Sequence, residues 1–176
     1  MFWEDLYRSA QEDTLNWARI PEFENYEVSR GGDVRNVRRK TLLKPSTFGS
    51  ETVSVQLSKY GVTFTRSLAK LVADAWVDDK PYPSCDTPIH LDGDRWNCHA
   101  DNLRMRPLWY AREFNKERKQ PTYPIWDKPF YCLETSETFL TLHDCGGVHG
   151  LLEDDIFDAL RTGGKAYLID YHYAYC

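Results

Sequence analysis

The residues best placed to do chemistry lie in one stretch, Ile89-His90-Leu91-Asp92-Gly93-Asp94-Arg95-Trp96-Asn97-Cys98-His99-Ala100-Asp101-Asn102-Leu103-Arg104. A neutral imidazole there can take a proton from water, and nearby oxygen or nitrogen ligands can hold a divalent ion against a scissile phosphate. His90 is the general-base candidate, and its alternative role is a scaffold histidine in a hairpin. Asp92 and Asp94 could ligate metal, although two acids around Gly93 also describe a solvated turn. Asn102 suits bracing of the loop by bonds to backbone groups. Cys98 and His99, taken with Cys85 and His90, match no common zinc spacing. The cysteines at 85, 98, 132, 145 and 176 form no CxxC pair and are odd in number. They read as reduced thiols of a cytosolic protein.

A second set of residues concerns charge. Arg35, Arg38, Arg39, Lys40 and Lys44 form the densest basic run, and no acid falls between Asp33 and Glu51. Such a run can face phosphates, or it can be an ordinary solvated hairpin. Arg104, Arg106, Arg112, Lys116, Arg118 and Lys119 extend the positive side chains further along. Arg112 and Lys116 are spaced to share one helix face. The formal net charge of -5 is unevenly spread. Residues 16–60 carry eight bases and five acids, and residues 121–176 carry three bases and nine acids. The basic middle attracts phosphates, while the acidic end repels them.

These side chains need elements to position them. The chain has 176 residues, 41% hydrophobic and 14% aromatic, which excludes a wholly disordered polymer. No apolar run is long enough for a transmembrane helix, and acids stand near the N-terminus where a signal peptide carries bases. Residues 1–15 have apolar positions at helical spacing, which predicts a short amphipathic helix. From Trp17 to Val37 short strands are expected, with Gly31-Gly32 making a turn of positive φ. Further strands are expected at Leu42–Pro45 and at Val53, Val55 and Leu57, with Tyr60-Gly61 turning the chain. The spacing of Leu68, Leu71, Val72, Ala75 and Trp76 predicts a buried helix face. A second helix is expected over Leu108–Lys119, and a linker near Gln120–Pro124. Beyond it, the pattern predicts two strands within Phe130–Leu142, a helix from Glu153 to Leu160 ending near Gly163-Gly164, and a final strand over Ala166–Tyr175. Trp76, Trp96 and Trp109 are expected in the core.

Three ordered motifs resemble phage and intron-associated HNH endonucleases of the ββα-metal class. The first runs Trp17, Ile20-Pro21, Phe23, Tyr26-Glu27-Val28-Ser29, Gly32-Asp33-Val34-Arg35 and Leu43-Lys44-Pro45, similar to the nuclease-associated modular domain that leads such proteins. The second is Leu71-Val72-Ala73-Asp74-Ala75-Trp76, similar to the helix before the nuclease hairpin. The third is His90-Leu91-Asp92-Gly93-Asp94, Asn97 and Asn102-Leu103-Arg104, similar to the HNH core. Residues 130–175 more loosely resemble a second modular domain that follows such nucleases. Two departures stand out. Ile89 occupies the position where relatives have Asp or Asn, and Ala111 the position where they place a metal-binding Asn. Asn115 lies one turn further along the helix.

The resemblance implies an α+β protein: an N-terminal helix (1–15), a β-rich module (16–60), an HNH-like ββα unit (61–120) and a C-terminal β/α module (127–176). It implies DNA binding through residues 16–120, using Arg35, Arg38, Arg39, Lys40, Lys44, Arg104, Arg106, Arg112 and Lys116. It further implies phosphodiester hydrolysis, weak or lost, with His90 as base and Asn102 as loop brace. Mg²⁺ or Mn²⁺, held by Asp92 and Asn115, would be used if the site is active, and no cofactor otherwise. The other reading is a catalytically silent derivative that binds a protein partner through its acidic C-terminal module. The expected setting is the cytoplasm of a bacterial host, with no membrane association.

Overall fold

In a computed structural model of the chain, the structure describes residues 16–47, 52–119 and 128–176. The helix expected at 1–15 and the linker expected at 120–124 lie outside the described residues. The fold is α+β, with small antiparallel sheets and helices. It divides into two compact units. One holds the described residues up to Asp78 together with Arg95–Leu103, and the other holds Asp79–Asp94 and Arg104–Cys176.

The first unit contains two three-stranded sheets. β1 (Trp17–Ile20), β2 (Phe23–Ser29) and β3 (Val34–Asn36) form one, and β4 (Ser46–Thr47), β5 (Val53–Lys59) and β6 (Val62–Ser67) form the other. In β5 the side chains of Val53, Val55 and Leu57 are buried on one face; on the other, Gln56 and Ser58 are exposed while Ser54 is buried. α1 (Leu68–Trp76) starts at Ser67, whose hydroxyl accepts from the Lys70 backbone N–H at 3.4 Å. It buries Leu68, Ala69, Val72 and Ala73 and packs on strands of both sheets. The Trp76 indole N–H donates to the Val28 carbonyl at 3.2 Å. Gly32, at φ +97°, sits where a Cβ would press on Cys98 at 3.2 Å, so the turn needs glycine for both its conformation and its close approach.

The strand expected at Leu42–Pro45 is absent. Leu42 makes a single bridge to Arg35, after a turn in which Lys40 has φ +53°, and Pro45 has no N–H to extend the pairing.

In the second unit, β7 (Thr87–His90) pairs with β8 (Leu103–Arg106), and α2 (Leu108–Lys119) packs on β7. A further sheet has the order β10-β9-β11, from β9 (Phe130–Cys132), β10 (Thr138–Phe139) and β11 (Tyr173–Tyr175). Two helices cover it, α3 (Leu142–His149) and α4 (Glu153–Thr162), joined through Gly150 in a left-handed conformation. The long final strand expected over Ala166–Tyr175 shrinks to Tyr173–Tyr175. Leu168 at φ +73° and the Ala166 N–H to Tyr171 carbonyl bond fold the preceding residues into a turn. Two apolar clusters carry this unit. One gathers Phe130, Cys132, Phe139, Leu151, Ile156 and Tyr173, and the other Ile89, Tyr110, Ala111, Phe114, Leu152 and Leu168.

Candidate HNH-like site

His90 ends β7 and is half-buried. Its carbonyl accepts from the Gly93 N–H at 3.1 Å, closing a tight turn in which Gly93 takes φ +76°. Asp92 is exposed, and its carboxylate accepts from the Asp94 backbone N–H at 2.9 Å. That geometry is an Asx turn, the local job for which Asp is favoured between two elements. Asn102 closes a short 3₁₀ turn (Ala100–Asn102) in the first unit, and its amide donates to the Asn97 carbonyl at 2.8 Å. His99 caps the same turn, accepting from the Asp101 N–H at 3.2 Å.

The two positions where the resembling family supplies metal ligands are both apolar and both enclosed. Ile89 is 0% exposed and Ala111 is 3% exposed, and they belong to one cluster with Tyr110, Phe114, Leu152 and Leu168. Asn115 does not make good the loss. One turn further along α2 it is exposed, whereas Ala111 is buried. Among the described residues, no three His, Cys, Asp or Glu side chains come together in a way that could hold a metal ion. The residues at Ile89 and Ala111 supply no oxygen ligand to Mg²⁺ or Mn²⁺, both of which prefer oxygen neighbours.

The basic residues separate into accessible and committed ones. Arg38, Arg39 and Lys44 are exposed. Lys40 is half-exposed and reaches Glu27 at 3.1 Å. Arg35 leaves the candidate DNA face: its guanidinium pairs with Glu27 and lies over the Trp17 ring, 3.8 Å from the centroid. Arg106 leaves it too, at 1% exposure. It bonds Asp79 at 2.9 Å, the Gly150 carbonyl at 3.1 Å and the His149 carbonyl at 3.3 Å. Arg118 is enclosed between α2 and α3, with its guanidinium over the Phe114 ring and near Glu153. Arg112 and Lys116 are exposed on α2, and Arg104 is half-buried beside Asp79. Trp96 and Trp109, expected in the core, are 59% and 54% exposed.

One constellation escaped the sequence. His149 Nε2 lies 3.0 Å from Glu137, His149 Nδ1 lies 2.7 Å from the Tyr173 hydroxyl and 3.6 Å from Cys145 Sγ. The Cys–His–Glu order resembles a nucleophile with its base and orienting acid. Burial pushes the Cys145 thiol up to about 12 and pulls His149 below its ordinary value, and the sulfur is fully enclosed. A reactive cysteine needs the opposite, a stabilised thiolate within reach of a substrate. The cluster is a satisfied polar core, and only its i, i+4 spacing on α3 was legible beforehand.

Comparison with known proteins places this geometry. Residues 16–58 match the NUMOD4 motif. No curated protein sequence matches the chain. A solved structure of the HNH homing endonuclease I-HmuI, described for that protein's DNA binding and cleavage, superposes with a TM-score of 0.51 at 21% identity. The match covers 91% of this chain and 97% of that one. With a NUMOD4 motif at its head and that fold behind it, the chain resembles the HNH-type homing endonucleases.

Proposed function

We propose that this protein binds DNA and that its HNH-like unit hydrolyses phosphodiesters weakly or not at all. The observation that carries the second part is the burial of Ile89 and Ala111 in one apolar cluster. Carbon side chains at those two positions give a divalent ion no oxygen ligand, so it would depend on Asp92, water and the DNA phosphate for its coordination. His90 retains an imidazole able to accept a proton, but a base alone supplies only part of the rate. DNA binding is supported by the accessible cations: Arg38, Arg39, Lys40 and Lys44 in the module at 16–60, and Arg112 and Lys116 in the unit at 61–120. In this reading residues 127–176 serve as a packing module rather than a DNA reader.

A second reading, a silent derivative that works on a protein partner, draws support from a different feature. Leu108, Trp109 and Tyr167 are each more than half exposed, and the Trp109 and Tyr167 rings lie 6.1 Å apart. Such a patch suits burial by a partner. Plasmid nicking with Mg²⁺ and with Mn²⁺, beside a salt-dependent DNA titration, separates the cases. The expected result is salt-sensitive binding with little or no nicking. Robust metal-dependent nicking that disappears in His90→Ala would overturn the catalytic part, and absence of any DNA binding would favour the second reading.

A further inference from the structure

We infer that the tip of the β5–β6 hairpin is a nucleobase-stacking element, in which Tyr60 lays its ring on a base of bound DNA while Lys59 meets the adjoining phosphate. The inference rests on the DNA-binding reading above and names a contact within it. Lys59 pairs with Val62 across the hairpin, leaving Tyr60 and Gly61 as the two turn residues. Their φ values are +52° and +78°. Two-residue turns of this kind favour Asn, Asp or Gly at both places because only these tolerate positive φ well. Gly61 conforms, and Tyr60 does not: a bulky side chain in the left-handed region is strained.

Apart from Lys59 beside the ring, little packing offsets that strain. Tyr60 is 94% exposed, and a Cβ added at Gly61 would meet nothing within 4 Å, so the tip stands in open solvent. A large aromatic held outward on a rigid, unfavourable turn contributes nothing visible to folding, and strain of this sort collects where a contact is made.

The neighbours fit a base and its phosphate. The Lys59 ammonium lies 5.6 Å from the Tyr60 ring and 6.0 Å from the Phe23 ring, held by a 2.8 Å bond to the Glu22 carbonyl. The Arg66 guanidinium sits over Phe23 and Phe64 at 5.3 and 5.4 Å. Of the acids nearby, Glu22 is paired with Arg66 at 3.5 Å, and Glu24 lines a small cleft beneath the tip with Phe23, Asn25, Ser58, Lys59 and Tyr60. Rings interleaved with cations are what stacked bases and their backbone require. Lys59 and Tyr60 follow directly on the segment that matches the NUMOD4 motif, which ends at residue 58.

The test uses the full chain and a mixed-sequence duplex with a short single-stranded gap, which leaves a base face open to a ring; a 2-aminopurine beside the gap reports stacking by its fluorescence. Tyr60→Asn keeps a residue suited to the turn and removes the ring, and Tyr60→Phe keeps the ring. Tyr60→Asn is expected to weaken duplex binding about tenfold with an unchanged salt slope. It should also raise Tm by about 2–4 °C, because strain is relieved. Tyr60→Phe should bind like the unmodified protein, and both ring-bearing forms should alter the 2-aminopurine signal where Tyr60→Asn does not. Equal affinity of Tyr60→Asn and the unmodified protein would overturn the stacking contact while leaving DNA binding intact. A fall in Tm would assign Tyr60 a folding role and overturn it as well. Absence of any binding by the unmodified protein would instead remove the DNA reading, and this contact with it.

Discussion

Glu117 shows what one side chain contributes when tertiary contacts enclose it. Burial pushes its carboxyl up to about 7 from an ordinary 4.5, with Glu153 and Asp154 adding to the rise. The Glu153 backbone N–H, donating at 3.1 Å, and the Arg118 guanidinium work against it. Because the folded value lies above the unfolded one, the protonated acid supports the fold below about pH 4.5, and that support is lost as pH rises through about 7. Glu117→Gln keeps an acceptor and removes the charge. It should gain on the order of 2 kcal/mol over the unmodified protein at pH 8 and little at pH 5. Denaturant unfolding of both proteins at the two pH values measures this. His149 has its folded value lowered, so its support is present above its ordinary 6.5 and is lost as pH falls through the folded value. Comparing the two proteins at each pH cancels that contribution. A constant difference between pH 5 and 8 would mean that Glu117 is solvated.

At the scale of elements, the contact that positions the C-terminal helices is made by α2. The Tyr110 hydroxyl donates to Asp155 at 2.7 Å and accepts from the Leu152 N–H at 2.7 Å, at the very start of α4. Tyr110 thereby satisfies the backbone N–H of Leu152, an apolar N-cap residue whose own side chain makes no capping bond. Asp155 and Glu153 are thus tied to α2 and α3 (His143 lies 2.8 Å from Glu153), which gives two of the four acids of α4 a tertiary role. Gly146 serves the same junction, since a Cβ there would come within 2.7 Å of the Leu151 carbonyl oxygen. Tyr110→Phe retains the ring in its apolar cluster and deletes both hydrogen bonds, leaving a buried N–H unsatisfied. It should cost about 1–3 kcal/mol, with amide exchange accelerating first at the start of α4. Unchanged protection there would show that the cap is dispensable.

For the whole molecule, the governing quantity is a net charge of -5 set against a local excess of bases in residues 16–60. In the proposed DNA-binding role, association is expected to be steered by local patches, and salt should weaken it steeply. Changing Arg38, Arg39 and Lys40 together to Ala should weaken binding alike on unrelated sequences and make the log–log salt slope shallower by up to about three. Unchanged affinity and slope would remove this turn from the interface.

Local pattern by itself determined the α1 and α2 helices, the β5 strand with its turn at Tyr60-Gly61, and the helix ending at Gly163, because each rests on periodicity and turn chemistry within a few residues. The resemblance to HNH endonucleases, carried by motifs within the sequence, marked Ile89 and Ala111 as the positions that depart from the ligand pattern. Only tertiary structure decided that both side chains share one apolar cluster, that Asn115 faces solvent, and that Arg35, Arg106 and Arg118 are committed to internal partners rather than to phosphates. It likewise decided that Trp96 and Trp109 lie at the surface and that Tyr60 stands strained in solvent. Charge and size are legible in a residue's name, but what surrounds a side chain depends on segments far along the chain: Arg106 meets Gly150, and Tyr110 meets Asp155. Such distant neighbours leave no periodic trace, so a basic run reads the same whether its cations face water or a buried carboxylate.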